Sequence, residues 1–221
     1  NSILLLNSSK TNNTLQAFWV AMGSVSSIAI SIVSAAILSR YFNKADYGTY
    51  KQILFIYSTL LIVFSAGLPR VFEYFLPRFS LHEGKTIVKK VDRVLFLEGL
   101  FFSSFLFIFS EVIANVLNNP DLSYALKVFS PVPMLLLPTL GIEGIFASYK
   151  KTIFIAIYNT LSRVMMLMFI VIPVIIFEGN YISAIYGWVA ASALTFVVAY
   201  FFKAIPFKNI DSIDTTLNYK E

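Results

Sequence analysis

The chain of 221 residues has a hydrophobic share of 57%, only 13% charged residues and a mean hydropathy of +0.75, a composition that excludes an ordinary soluble domain. It predicts an all-α, polytopic transmembrane helix bundle. The formal charge of +5 does not indicate a nucleic-acid partner, because the basic residues lie between apolar segments, where they set membrane orientation. With no cysteine and one histidine, His82, the sequence offers no thiol chemistry, disulfide or ordinary zinc site, so no metal or cofactor is expected.

Six membrane spans are predicted, at about 15–38, 52–69, 94–117, 122–148, 152–177 and 181–202. They form a transmembrane lobe over residues 1–205, followed by a polar tail or linker over 206–221. Because the chain begins at Asn1 rather than Met and its first apolar run is too short for a signal peptide, we expect a fragment of a longer protein.

Most of the 17 Lys and Arg residues fall on the side of the membrane that six spans assign to both chain ends. The loop after the second span contributes the densest group: Arg70, Arg78, Lys85, Lys89, Lys90 and Arg93. The positive-inside rule therefore predicts that both ends of the chain are cytoplasmic.

Serine is unusually frequent in the first span. Ser24, Ser27, Ser31 and Ser34 recur at intervals of three and four residues, and Gly23, Ser27 and Ser31 form a row of small residues. Two interpretations stay open. Either the face packs closely against another helix with its hydroxyls bonded to backbone carbonyls, or it faces water and substrate.

Between the second and third spans, residues 71–79 carry apolar side chains on one helical face, so they either lie in the membrane interface or extend the second helix. A long basic loop is expected to follow, up to Arg93. Before the fourth span, Asn119 is predicted to be a helix N-cap with Pro120 at the first helical position. Three prolines in the fourth span, Pro131, Pro133 and Pro138, predict a kinked or locally unwound helix.

Three ionisable residues are predicted to lie at hydrocarbon depth: Glu98, Glu143 and Arg163. Arg163 is about 16 Å along its helix from Thr152, near the middle of a ~30 Å hydrocarbon layer, where a guanidinium needs a partner. A structural interpretation pairs Arg163 with Glu143, or bonds it to Asn159 and to carbonyls. A functional interpretation makes Arg163 an anion site, because its planar fork fits phosphate well.

The two carboxylates have alternatives of their own. Glu98 either snorkels harmlessly towards the cytoplasmic surface or takes up a coupling proton, and Glu143 is a second candidate for ion coupling. Catalysis has little support, since His82 lies in the basic loop, far from any buried serine, and no Gly-rich phosphate loop is present. The chain is therefore not expected to be an enzyme.

The stretch ILSRYFNKADYGTYKQILFIYSTLLIVFSAGLPRVFEYFLPRF, residues 37–79, resembles the start of a bacterial polysaccharide flippase of the O-antigen transporter type. The shared pattern is a first helix ending in Arg40, the turn 46–48 (Asp-Tyr-Gly) and a second helix closing with 67–69 (Gly-Leu-Pro). The later turn 119–121 and a fifth helix that carries Asn159 and Arg163 also fit. This family belongs to the superfamily of multidrug, oligosaccharidyl-lipid and polysaccharide exporters.

The resemblance implies one lobe of a two-lobe transporter in the bacterial inner membrane, which flips undecaprenyl-diphosphate-linked oligosaccharide by alternating access around a cationic cavity. Arg163 would be the central cation, Asn159 its neighbour, Arg70 the inner mouth and Arg40 the outer mouth. The implied partners are the lipid-linked oligosaccharide, membrane lipids, and a missing C-terminal lobe or a second copy. Two alternatives remain: a cation-coupled multidrug exporter of the same superfamily, or a membrane-embedded glycosyltransferase or polymerase that acts on the same lipid-linked sugars.

Overall fold

The computed structural model describes residues 13–65 and 67–207, and these residues form an all-helical bundle without a β-strand. We number the α-helices in chain order. They are α1 (Asn13–Tyr41), α2 (Lys44–Phe64), α3 (Val71–Phe75), α4 (Leu81–Val116), α5 (Asp121–Phe129), α6 (Pro131–Leu136), α7 (Ile142–Ser148), α8 (Thr152–Ile176) and α9 (Tyr181–Ala204). Short 3₁₀ turns occupy Leu68–Arg70, Leu76–Arg78, Leu137–Gly141 and Ile205–Phe207.

Five stretches of helix are long and apolar enough to cross a membrane. They are Ala17–Tyr41, Leu81–Val116, Asp121–Ser148, Thr152–Ile176 and Tyr181–Phe207, which include five of the six predicted spans. The second predicted span, α2, is not among them, because its first turns carry Lys44, Asp46 and Lys51. The structure thus confirms an all-α chain of the multi-pass membrane type, with five helices among the described residues that are long and apolar enough to cross, and the sixth span stays a prediction.

Helix α2 nevertheless packs inside the bundle, from one end to Phe102 near the middle of α4, on which its last residue Phe64 stacks. At its start, the Asn119 side chain donates hydrogen bonds to Thr49 Oγ1 (2.9 Å) and Gln52 Oε1 (2.7 Å). We call this end of the bundle the Asn119 end. The prediction that Asn119 caps the next helix was wrong: α5 has Pro120 in the capping position without a side-chain hydrogen bond, and the Asn119 side chain is turned towards α2, to which its Nδ2 donates.

The segment after α2 lies at the opposite end, which we call the Lys203 end after the lysine at the C-terminus of α9. Phe72 of α3 and the nearby Leu76 are fully buried against Leu95 of α4 and Ile145 of α7. The expectation that residues 71–79 extend the second helix was wrong, since the segment is a short helix between two 3₁₀ turns, and its placement in the membrane interface stays a prediction. The turn itself is made at Gly67, whose φ of +74° favours glycine, and burial of Phe72 holds the segment that follows.

The expected basic loop before the third span is helical. Helix α4 begins at Leu81 and runs for 36 residues, about 54 Å at ~1.5 Å per residue. Its start is fixed by a capping box, in which Ser80 Oγ accepts from the Glu83 backbone N–H and the Glu83 carboxylate accepts from the Ser80 backbone N–H. The prediction of a basic loop before the third span was therefore wrong, since these basic residues stand on a continuous helix, and the predicted span at about 94–117 forms the later part of that helix.

The predicted distortion of the fourth span is confirmed. The backbone from Asp121 to Ser148 is divided into α5, α6, a 3₁₀ turn and α7, with Pro131 and Pro138 at two of the junctions. Of its most apolar stretch, 67% is buried inside the protein, more than in the other four candidate spans. An interrupted helix is tolerated at membrane depth because surrounding helices enclose it.

Helix α8 is held between α1 and α9 by two close backbone approaches. A Cβ at Gly23 of α1 would lie 2.9 Å from the Ala156 Cα, and one at Gly187 of α9 would lie 2.2 Å from the Phe169 carbonyl oxygen. Only glycine permits both approaches. They fix α8, which carries Arg163, against the serine-rich first helix.

Candidate functional site around Arg163

Arg163 lies near the middle of α8, and its side chain borders two cavities next to the serine face of α1. One has a volume of about 290 Å³ and the other about 300 Å³. Residues of α1 that line one or both of them are Ser27, Ile28, Ile30, Ser31, Ile32, Ser34, Ala35 and Leu38. The predicted central cation and the predicted polar face therefore come together in space.

The Arg163 side chain is exposed, and within residues 13–65 and 67–207 it forms neither an ion pair nor a hydrogen bond. The structural interpretation, in which Arg163 pairs with Glu143 or bonds to Asn159 and carbonyls, is therefore wrong. Instead, Asn159 Nδ2 donates a hydrogen bond of 2.7 Å to Glu143 Oε1. The amide satisfies the carboxylate without neutralising it, and the guanidinium keeps its donors for another group.

The serine hydroxyls bond to the backbone, as the packing interpretation predicted. Ser27 Oγ donates to the Gly23 carbonyl (2.9 Å), and Ser31 Oγ donates to the Ser27 carbonyl (2.8 Å). The same serines also line the cavity beside Arg163. The interpretation that this face meets water and substrate stays a prediction, and it is compatible with these bonds because a hydroxyl that donates to a carbonyl still has acceptor capacity towards a ligand.

Aromatic side chains from other helices complete the wall of the larger cavity at Arg163. Trp188 Nε1 donates a hydrogen bond of 2.9 Å to Tyr50 Oη, and Tyr57 lies beside this pair in the lining. Lys51 is a second cation in the same wall. Sequence analysis did not assign these residues to the site, because Tyr50 and Trp188 are 138 positions apart and no local pattern links them.

The remaining predicted site residues lie elsewhere. Arg40 is in the last turn of α1 and Arg70 is in the 3₁₀ turn before α3; both are exposed, and neither lines the two cavities at Arg163. Glu98 is on α4 with Oε2 buried and without a hydrogen-bond partner among the described residues. The roles assigned to these three residues stay predictions.

In the part of the chain that the structure describes, no three His, Asp or Glu side chains cluster, so we find no candidate metal site there. The geometry instead defines a class: an all-α, multi-pass membrane-type protein in which an arginine with no ion pair among the described residues lies on an open, serine-lined face. Comparison with protein-family models, with curated proteins and with solved structures gave no match for this chain.

Proposed function

We propose that this chain is one lobe of a flippase that translocates undecaprenyl-diphosphate-linked oligosaccharide across the bacterial inner membrane for surface polysaccharide synthesis. The observation that carries the proposal is the position of Arg163. Its guanidinium is half-way along an apolar helix, without an ion-pair partner among the described residues, and next to two mostly apolar cavities whose walls include Ser27 and Ser31.

An unpaired arginine at the centre of a bilayer costs from about 2.5 to more than 10 kcal/mol. A diphosphate supplies negative charge and several acceptor oxygens, so it offsets that cost through short, charge-assisted hydrogen bonds to the planar fork. The serine face of α1 and the Tyr50–Trp188 pair add polar and aromatic groups suited to a sugar that follows the phosphates. This combination favours a large anionic amphiphile over a simple inorganic ion.

The face around Arg163 is too open to enclose a substrate, which supports a transporter that needs a second part. Each cavity at Arg163 is about 300 Å³ or smaller, the lower limit of pockets that hold small ligands, and is too small for an oligosaccharide. Of the most apolar stretch of α1, only 6% is buried. We infer that a second lobe, or a second copy of this chain, covers α1 and α8 and encloses the substrate.

The proposed topology has six spans with both chain ends in the cytoplasm. Helix α2 supplies the additional crossing, because it begins beside Asn119 and the chain that follows it packs at the Lys203 end. Its 21 residues extend about 31 Å, enough for a ~30 Å hydrocarbon layer. The whole helix is needed for that distance, so Lys44 and Asp46 would lie at the periplasmic interface, and Lys51, about 10 Å further in, would extend its side chain back towards it.

Coupling needs a group that distinguishes the two states of alternating access. Glu143 is the better placed of the two predicted carboxylates, because it bonds to Asn159, one helical turn before Arg163. Protonation of Glu143 would weaken that bond and change the local charge near the substrate. Rocking of this lobe against its partner would then expose Arg163 to each side in turn.

The direct test is binding of an undecaprenyl-diphosphate-linked sugar to the complete native chain in detergent. We expect Arg163→Gln to weaken binding by about 10-fold or more, Arg163→Lys to weaken it less, and Lys90→Gln, an exposed charge on α4, to leave it unchanged. Equal binding by wild type and Arg163→Gln would contradict the proposal. Binding of lipophilic cations that requires Glu143 would favour the multidrug exporter instead, and sugar transfer without translocation would favour the glycosyltransferase or polymerase.

A further inference from the structure

A larger cavity lies at the Lys203 end, between α4 and α9 and away from Arg163. Its volume is about 950 Å³. Its lining combines basic and apolar side chains, among them Lys89, Arg93, Phe96, Phe196, Phe201 and Lys203. Neither the substrate site nor the proposed transport cycle uses it.

Charge in this cavity is unbalanced. Lys203 is 7% exposed and donates hydrogen bonds to the Asp92 carboxylate and the Pro138 carbonyl. Asp92, the single acidic residue of the lining, is therefore already paired with a cation. Lys89 and Arg93 are exposed and form no ion pair with any residue that the structure describes. The wall therefore has a net positive charge that attracts an anion.

The basic and apolar residues are separated by depth. Lys85, Lys89 and Arg93 follow one another at four-residue intervals on α4, and Phe96 comes one turn later. On antiparallel α9, Phe196 and Tyr200 line the deeper part and Lys203 the end. Val88 and Phe207 add apolar surface at the Lys203 end, but the cations of the lining are confined to that end and the deeper part is aromatic.

This gradient agrees with the dimensions of a bilayer. If Val116 marks the far interface, ~30 Å of hydrocarbon at ~1.5 Å per residue reaches back about 20 residues, to Phe96. Arg93 and Lys89 then lie about 4 and 10 Å beyond that boundary, at the depth of lipid headgroups. The aromatic residues face the upper parts of the acyl chains.

We propose that the cavity between α4 and α9 is a binding site for an acidic membrane phospholipid. Its phosphate contacts Lys89 and Arg93, and its acyl chains lie along Phe96, Phe196 and Phe201. Basic pockets between transmembrane helices at the cytoplasmic face are suited to acidic headgroups, and a volume near 950 Å³ accommodates a headgroup with the adjoining part of its chains. The proposal does not depend on transport.

The first experiment measures lipid retention by the purified full chain in native mass spectrometry, with phosphatidylglycerol and phosphatidylcholine of identical acyl chains. We expect preferential retention of phosphatidylglycerol, weakened about 5-fold by Lys89→Gln or Arg93→Gln and about 30-fold by both together. Lys90→Gln is the matched control, because it removes a charge from the same helix outside the cavity. Equal retention of the two lipids, or an equal loss with Lys90→Gln, would overturn the proposal.

A second variant separates a defined cavity from general surface attraction. Ala204→Trp fills the cavity from an exposed position and leaves every charge in place, so we expect it to abolish the preference for phosphatidylglycerol. A photo-crosslinker in place of Phe201 identifies the occupant in the membrane. A lipid adduct supports the proposal, whereas an unchanged preference in Ala204→Trp, or a crosslink to the chain's own residues after Phe207, would overturn it.

Discussion

The Asn159 amide donates a hydrogen bond to the Glu143 carboxylate, and this bond ties α7 to α8 one helical turn before Arg163. It places a carboxylate and a guanidinium on the same open face without joining them. A directly paired Arg163 would have little capacity left for a ligand. The amide therefore keeps both charges available while it fixes the helix that carries the arginine.

The bond between Glu143 and Asn159 predicts energetic coupling. We expect Asn159→Ala and Glu143→Gln each to lower the free energy of unfolding by about 1 kcal/mol, since each removes or weakens one hydrogen bond. The double variant should lose less than the sum of the two, with a coupling of at least about 0.5 kcal/mol in a double-mutant cycle. Chemical unfolding in detergent measures all four proteins. Strict additivity would show that the two side chains do not interact.

Helix α9 should not tolerate a larger residue at its contact with α8. Gly187→Ala places a methyl group within 2.2 Å of the Phe169 carbonyl oxygen, so the helices must separate, at a cost of about 1–3 kcal/mol. Gly48→Ala is the matched control: no atom lies within 4 Å of the added methyl in α2, and we expect stabilisation by about 0.5–1 kcal/mol. Thermal unfolding should show opposite shifts, and shifts of the same sign would contradict the packing.

We expect the protein to lose stability when one partner of the Lys203–Asp92 pair is removed, and to lose much less when both are replaced by apolar residues. Lys203 is 7% exposed, so Lys203→Met leaves the Asp92 carboxylate partly buried without a cation and should destabilise the protein by about 3 kcal/mol. Adding Asp92→Leu to that variant should restore most of the loss, because no unpaired charge remains. If the double variant is less stable than Lys203→Met alone, this account of the pair is wrong.

Six spans can be tested directly because the chain has no cysteine. Single-cysteine variants Ala45→Cys, before α2 crosses, and His82→Cys, at the start of α4, should react with an impermeant maleimide from opposite sides of the membrane. Lys151→Cys is a reference that should behave like His82→Cys. Labelling of Ala45→Cys and His82→Cys from the same side would show that α2 does not cross.

Periodicity and hydropathy were sufficient to predict the long apolar helices and the position of Arg163, because both depend on local sequence. The early start of α4 was missed although its signal was present: Ser80 and Glu83 have the spacing of a capping box, but the basic residues after them resemble a loop on a hydropathy scale. The Asn119 contact with α2 and the Tyr50–Trp188 bond could not have been predicted. They join residues 67 to 138 positions apart, and only tertiary packing brings such residues together.

The measurement that tests the central proposal is translocation of an undecaprenyl-diphosphate-linked oligosaccharide by the complete native chain in proteoliposomes. Wild type, Arg163→Gln and Lys90→Gln should be compared at equal amounts of folded protein. We expect transport by wild type and Lys90→Gln and at least a 10-fold loss with Arg163→Gln, because the diphosphate then has no cation at mid-membrane. Unchanged transport by a well-folded Arg163→Gln protein would contradict the account.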